Sequence, residues 1–220
     1  DFTTKVSVST GEVGSYMHAY YRALEFKIYF STIKTPYKRV TVEGSLHKFW
    51  NGGRHNFNDF GTQHLIEVLN ELNMLFKIDT EKARLRQLEI GVNINPSVET
   101  KTILKGCLIH KTKRFKWIST KDEGNYIQAQ YQRYIFKLYD KKTHYKQKGF
   151  HLPNEIMRIE IKWVKMYDLN LKAITSLQDL LNFKIESFIP LIEKEWRNVI
   201  FWDFVVSKKT KIHSKYGNVN

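Results

Sequence analysis

An α+β fold is predicted for this chain of 220 residues, with one mostly antiparallel central sheet and helices packed on one face. Three observations predict it. Many short runs carry the β-branched and aromatic residues of strands, few stretches show helical spacing of apolar positions, and the 42% hydrophobic content can fill a sizeable core. The chain reads as a single domain over 1–206, with a basic tail, 207–220, whose polar composition is that of a disordered segment.

The elements follow in order. Residues 24–32 and 40–50 have strand composition. The run Asn51-Gly52-Gly53-Arg54-His55-Asn56-Phe57-Asn58-Asp59 is turn chemistry. A helix over 62–76 puts Leu65, Ile66, Leu69, Leu72 and Phe76 along one face. Residues 86–94 form a strand that stops at Asn95-Pro96, and Pro96 suits the first turn of a helix running through Leu108. Strands follow at 115–119, 126–131 and 133–139. The basic run 144–153 is loop-like, and 155–165 is another strand. Ser176 with Asp179 marks a helix start, and Pro190 opens a last helix reaching about Phe201.

Composition narrows the function. No apolar run approaches the roughly 18 residues of a membrane span. The opening residues 1–10 are polar and lack the apolar segment of a signal peptide. A lone cysteine, Cys107, excludes an internal disulfide and a cysteine-based zinc cluster, and suits a reducing, cytoplasmic setting. The net charge of +14 is concentrated: residues 101–150 hold 13 Lys/Arg against 3 Asp/Glu, while 61–100 hold 4 against 6. Concentrated positive charge interleaved with aromatics (Phe115, Trp117, Tyr126, Tyr131, Tyr134, Phe136, Tyr139, Tyr145) fits a single-stranded polyanion.

Strand alternation sorts these residues onto faces. Along 133–139, Tyr134, Phe136 and Leu138 share an apolar face; Lys137 and Tyr139 share the other, with Lys141 in line if the strand continues. Glu89, Gly91 and Asn93 share the polar face of one strand, and Arg158, Glu160 and Lys162 that of another. Two interior strands are thus expected to offer one carboxylate each, as oxygen ligands for Mg²⁺ or Mn²⁺. The bland alternative pairs Glu89 with Arg158 or Lys162 across the sheet. Asn93 is a neutral ligand or a structural amide. His144 and His151 could complete a metal shell or shuttle a proton. Tyr131, Tyr134 and Tyr145 are rival nucleophiles to Tyr139, though Tyr134 faces the core and the other two lack a following Asp-Lys.

The segment from Val42 to Asn56, containing Lys48-Phe49-Trp50-Asn51-Gly52-Gly53-Arg54-His55-Asn56, resembles the Gly-His-Asn segment of filamentous-phage rolling-circle replication initiators. In that family a strand carboxylate, a Tyr-x-Lys strand and an Arg-x-Glu strand follow. Here Leu88-Glu89-Ile90, Tyr139-Asp140-Lys141 and Arg158-Ile159-Glu160 come in the same order, an arrangement also similar to staphylococcal-type plasmid initiators. The glutamate at 89 stands where the phage proteins carry aspartate, and Leu88 stands where they carry arginine. The resemblance implies a metal-dependent DNA nickase forming a 5′-phosphotyrosine. It implies Tyr139 as nucleophile, Lys141 as the motif lysine, Glu89 and Glu160 as ligands of Mg²⁺ or Mn²⁺, and His55 and Asn56 as DNA contacts. Arg133, Lys137 and Lys142 are further candidate DNA contacts. The implied partner is single-stranded or hairpin origin DNA, with a host helicase and a second copy of the chain as further candidates and no membrane. A non-catalytic origin-binding initiator and a mobilisation relaxase remain alternatives.

Overall fold

The structure is a computed structural model that describes residues 1–31, 38–120 and 124–202. The tail 207–220 lies outside them. Where the sequence reading has one domain, the chain forms two compact units, Asp1–Ala83 and the residues from Arg84 on, each with its own sheet.

In the first unit β1 (Tyr16–Tyr21), β2 (Leu24–Tyr29) and β3 (Arg39–Gly44) form an antiparallel sheet in chain order. The strand expected over 40–50 ends early. Ser45 turns the chain and its side chain accepts from the Lys48 N–H at 3.2 Å, capping the short helix α1 (Leu46–Trp50). Helix α2 occupies Thr62–Phe76, the bounds its apolar spacing predicts. Its buried stripe is Leu65, Val68, Leu69 and Leu72; Phe76 instead remains 38% exposed. Phe49, Leu24 and Phe26 complete this core.

The second unit begins with β4 (Leu88–Ile94), α3 (Thr100–Gly106), β5 (Cys107–His110), β6 (Lys113–Arg114), β7 (Lys116–Thr120) and β8 (Gly124–Gln130). It continues with β9 (Tyr134–Asp140), α4 (Lys141–Lys146), β10 (Met157–Trp163), α5 (Tyr167–Asn170) and α6 (Leu177–Phe183). A 3₁₀ turn (Ile185–Phe188), α7 (Ile189–Trp196) and β11 (Val199–Phe201) close it. Five strands make the main antiparallel sheet in the order β4-β10-β9-β8-β7, and β11-β5-β6 form a small one. The α+β class holds, with three antiparallel sheets among the described residues in place of one.

Several boundaries differ from the sequence expectation. The helix expected through Leu108 stops at Gly106, and Leu108 lies in β5. The last helix ends at Trp196, after which β11 pairs with β5. Strand β9 ends at Asp140, whose carboxylate accepts from the Thr143 N–H at 2.9 Å and so starts α4 inside the expected loop. Ser176 and Asp179 make the expected capping box of α6.

The apolar face of the main sheet is built from Phe136, Leu138, Ile159, Ile161 and Trp163, all buried. Trp163 packs on Phe188 at 5.5 Å between ring centres, which docks the 3₁₀ turn and α7 on that side. The opposite face of the same strands is left for polar residues. Among the described residues no helix is long and apolar enough to cross a membrane.

Candidate active site

Strand register assembles the polar face. Glu160 on β10 lies opposite Gly91 on β4 and Lys137 on β9. One row away Arg158 lies opposite Asn93 and Tyr139, and Tyr139 opposite Tyr126 on β8. Strand β10 is interior, as expected; β4 is the edge of the five-stranded sheet, not an interior strand.

At the centre the Tyr139 hydroxyl donates to Glu160 Oε1 at 3.0 Å. The Arg158 Nε donates to the same oxygen, and the Arg158 Nη1 donates to Asn93 Oδ1 at 3.1 Å. Lys137 Nζ reaches Glu89 Oε2 at 3.5 Å and lies 5.4 Å from the centre of the Tyr126 ring. Glu89 therefore pairs with Lys137, not with Arg158 or Lys162. Lys141 is the first residue of α4, not a strand residue, and is fully buried; its ammonium sits 5.7 Å from the Tyr139 ring centre and 5.4 Å from that of Tyr145.

These neighbours set the protonation states. Glu160 is buried, yet the Arg158 guanidinium, with Lys141 and Lys137, holds its carboxyl below the usual range, so it is ionised. Glu89 keeps 37% of its side chain exposed, yet crowding by the surrounding protein, with the adjacent negative charge of Glu160, pushes its carboxyl up to about 7. Burial and Glu160 drive the Tyr139 phenol well above its ordinary value, against the opposing pull of Arg158. At rest the phenol is neutral and donates to a carboxylate.

Gly91 makes this arrangement possible. A Cβ there would collide with Glu160 Cγ and the Ile159 carbonyl, and would lie 3.1 Å from Arg158 Nε. The absence of a side chain on β4 gives Glu160 its room. Nothing in the polar–apolar alternation marks Gly91; only its position opposite Glu160 does.

The remaining sequence candidates have contacts of their own. Arg133 sits at the far end of β9, paired with Asp168 at 3.3 Å and stacked over Tyr167. Lys142 pairs with Glu155 at 3.0 Å. His55 and Asn56 belong to the first unit, where the His55 ring stacks on Phe57 at 4.0 Å. Tyr134 donates to Glu195 Oε2 at 3.0 Å, Tyr131 donates to the His110 carbonyl at 2.6 Å, and Tyr145 is buried. His144 packs edge-on against Tyr145, and His151 is exposed. Among the described residues no group of three or more His, Cys, Asp or Glu side chains gathers as a metal cage. Glu89 and Glu160 are the acidic donors, which fits Mg²⁺ or Mn²⁺ held by two carboxylates and completed by substrate phosphate oxygens. Their mutual repulsion is what such an ion would relieve.

Compared with family models, curated proteins and solved structures, the chain matches none.

Proposed function

We propose that the second unit is a metal-dependent DNA nickase that initiates rolling-circle replication of a phage or plasmid, with Tyr139 as its nucleophile. The observation that carries this reading is the 3.0 Å hydrogen bond from the Tyr139 hydroxyl to the ionised Glu160, inside a cluster of cations. A phenol with a base in contact and cations around it is the apparatus of covalent phosphoryl chemistry. The motif order Glu89, Tyr139-Asp140-Lys141, Arg158-Ile159-Glu160, shared with rolling-circle initiators, supports the same assignment.

In the proposed reaction the Tyr139 oxygen attacks the scissile phosphorus and the bond from phosphorus to the 3′ oxygen breaks. The product is a 5′-phosphotyrosine and a free 3′-hydroxyl that primes synthesis. The phenol proton leaves along its hydrogen bond to Glu160, and one proton ends on the departing 3′ oxygen. Arg158 and Lys141 lower the cost of charge on the phenolate and on the phosphate. Glu89 and Glu160 would hold Mg²⁺ or Mn²⁺, which when bound polarises the phosphate.

Intact-protein mass spectrometry after incubation with an origin-bearing single strand and Mn²⁺ tests the reading. A covalent adduct is expected in the parent and none in Tyr139→Phe, which retains DNA binding. An adduct of unchanged yield in Tyr139→Phe refutes the nucleophile. DNA binding with no adduct in the parent supports a non-catalytic origin-binding initiator in its place.

A further inference from the structure

Away from Tyr139, at the β7–β8 side of the second unit, lies a cleft of about 370 Å³ lined by Lys113, Arg114, Lys116, Gln130, Tyr131 and Gln132. Three of the six residues are cations and none is acidic. Lys113, Arg114 and Lys116 are exposed, and none pairs with a carboxylate among the described residues. A folded surface that gathers three unneutralised cations carries a repulsive cost, which a polyanion removes. The two glutamines add side-chain donors and acceptors for phosphate, sugar or base edges.

The wall of the cleft is rigid. Tyr131 stacks on Tyr134 at 4.6 Å with an interplanar angle of 15°, and its hydroxyl donates to the carbonyl of the buried His110 at 2.6 Å. The ring is therefore fixed before any ligand arrives, so little rotamer entropy is lost on binding.

The cleft is also in register with the nucleophile site. Lys116 lies opposite Gln128, Gln128 opposite Lys137, and Lys137 opposite Glu160, so one cross-strand row runs from the cleft to the base of Tyr139. At a strand spacing of about 4.8 Å, the three steps from Lys116 to Glu160 span roughly 14 Å along a single sheet face. That is the reach of a few nucleotides of extended strand. Gln130, which lines the cleft, lies on the same face through its pairing with Ile135, whereas the Tyr131 wall, stacked on Tyr134, lies toward the apolar side, so the cleft wraps the end of the sheet.

We infer that this cleft is a phosphate-backbone station for the single strand that enters the Tyr139 site, holding it a few nucleotides from the scissile phosphate. The inference rests on the nickase reading for its direction, but not for its measurement. Its ligand class is single-stranded DNA bound through phosphates, with Lys113, Arg114 and Lys116 as the contacts and Tyr131 as the aromatic wall.

The test is a salt titration of binding to fluorescein-labelled oligo-dT, followed by anisotropy in the Tyr139→Phe protein with chelator present, so that no cutting contributes. Each phosphate contact to a single strand adds about 0.7 to the slope of log K against log salt. The variant Lys113→Ala/Arg114→Ala/Lys116→Ala is expected to lower that slope by about 2. It should weaken binding at low salt at least tenfold. A control that removes three cations elsewhere on the unit, Lys165→Ala/Lys172→Ala/Lys194→Ala, is expected to shift the slope far less. An unchanged slope in the first variant overturns the inference. So does an equal fall in the control, which would make the effect one of total charge. A loss confined to duplex DNA also overturns it. With Tyr139 restored, the cleft variant should need more DNA for half-maximal adduct while reaching a similar maximal rate. If the parent forms no adduct at all, the nickase reading fails and the anisotropy result still decides the cleft.

Discussion

Lys137 and Lys116 face the same side of one sheet, two strands apart and in one cross-strand row. Lys137 is buried, reaches Glu89 at 3.5 Å and lies over the Tyr126 ring. Lys116 is exposed and opens on a cleft with two further cations. The central cluster sets its cations against two carboxyls and a phenol. The edge cleft leaves its cations without a carboxylate partner among the described residues. On the proposed reading the two regions would divide the work: chemistry needs buried charges that neutralise one another, whereas backbone binding needs exposed charges that do not.

The strongest way to break the comparison is at Glu160. Its removal in Glu160→Ala strands Arg158 and takes away the acceptor of the Tyr139 hydroxyl. Breaking a buried ion pair from one side costs about 3–5 kcal/mol. Urea denaturation should show that loss, together with abolition of the adduct. A stability within about 1 kcal/mol of the parent, the scale of an exposed pair, would mean that the cluster is not buried chemistry at all. Next in size is Gly91→Ala. The new Cβ must displace Glu160 or the β10 backbone, and overpacking of this kind costs about 1–3 kcal/mol. Adduct yield should fall with it, because Glu160 moves from Tyr139.

Local pattern made some of this legible in the sequence and could not make the rest so. Helix α2 was readable to its bounds because its apolar stripe and its chemistry are local. The two faces of β9 were readable because alternation has a period of two. Contact between Tyr139 and Glu160 was not, since the register between β9 and β10 depends on pairing across an intervening helix and loop. The motif order of Glu89, Tyr139 and Glu160 pointed to that contact only through resemblance. Gly91 gained meaning only once Glu160 stood opposite it. The strand stops short of Lys141 because Asp140 acts as a helix cap, and short of residues 45–50 because Ser45 does. The small sheet β11-β5-β6 escaped notice because strands of two to four residues carry almost no periodic signal. The cleft residues were visible as charge, but their convergence with Gln130 and Tyr131 needed the fold.

Finer tests sharpen the contrast between the two regions. Glu89 has a carboxyl raised from 4.5 to about 7, so between those values the folded protein holds a proton that the unfolded chain has released. Its contribution to stability is therefore fully present below about 4.5 and is lost as the pH rises through about 7. Glu89→Gln, which stays neutral, should flatten the fall in urea midpoint over that window. An unaltered pH dependence would show that the two carboxyls do not share a proton. If Glu89 and Glu160 hold a divalent ion as proposed, the same proton would compete with it, so Mn²⁺ affinity of the parent is expected to rise with pH through about 7 and to release a proton on binding.

At the smallest end stands Lys116→Ala. An exposed cation with no carboxylate partner among the described residues contributes little to folding, and its loss should move stability by no more than about 0.5 kcal/mol. Any change should be towards greater stability, because one source of repulsion with Lys113 and Arg114 is gone. Its effect belongs in DNA affinity at low salt, and it should fade as salt screens the cleft. Lys137→Met reverses the pattern: it removes a buried ammonium that faces the partly exposed Glu89, so its effect belongs in stability more than in DNA affinity. If the two variants behaved alike in both measurements, the distinction between a committed and an open cation would have no physical content.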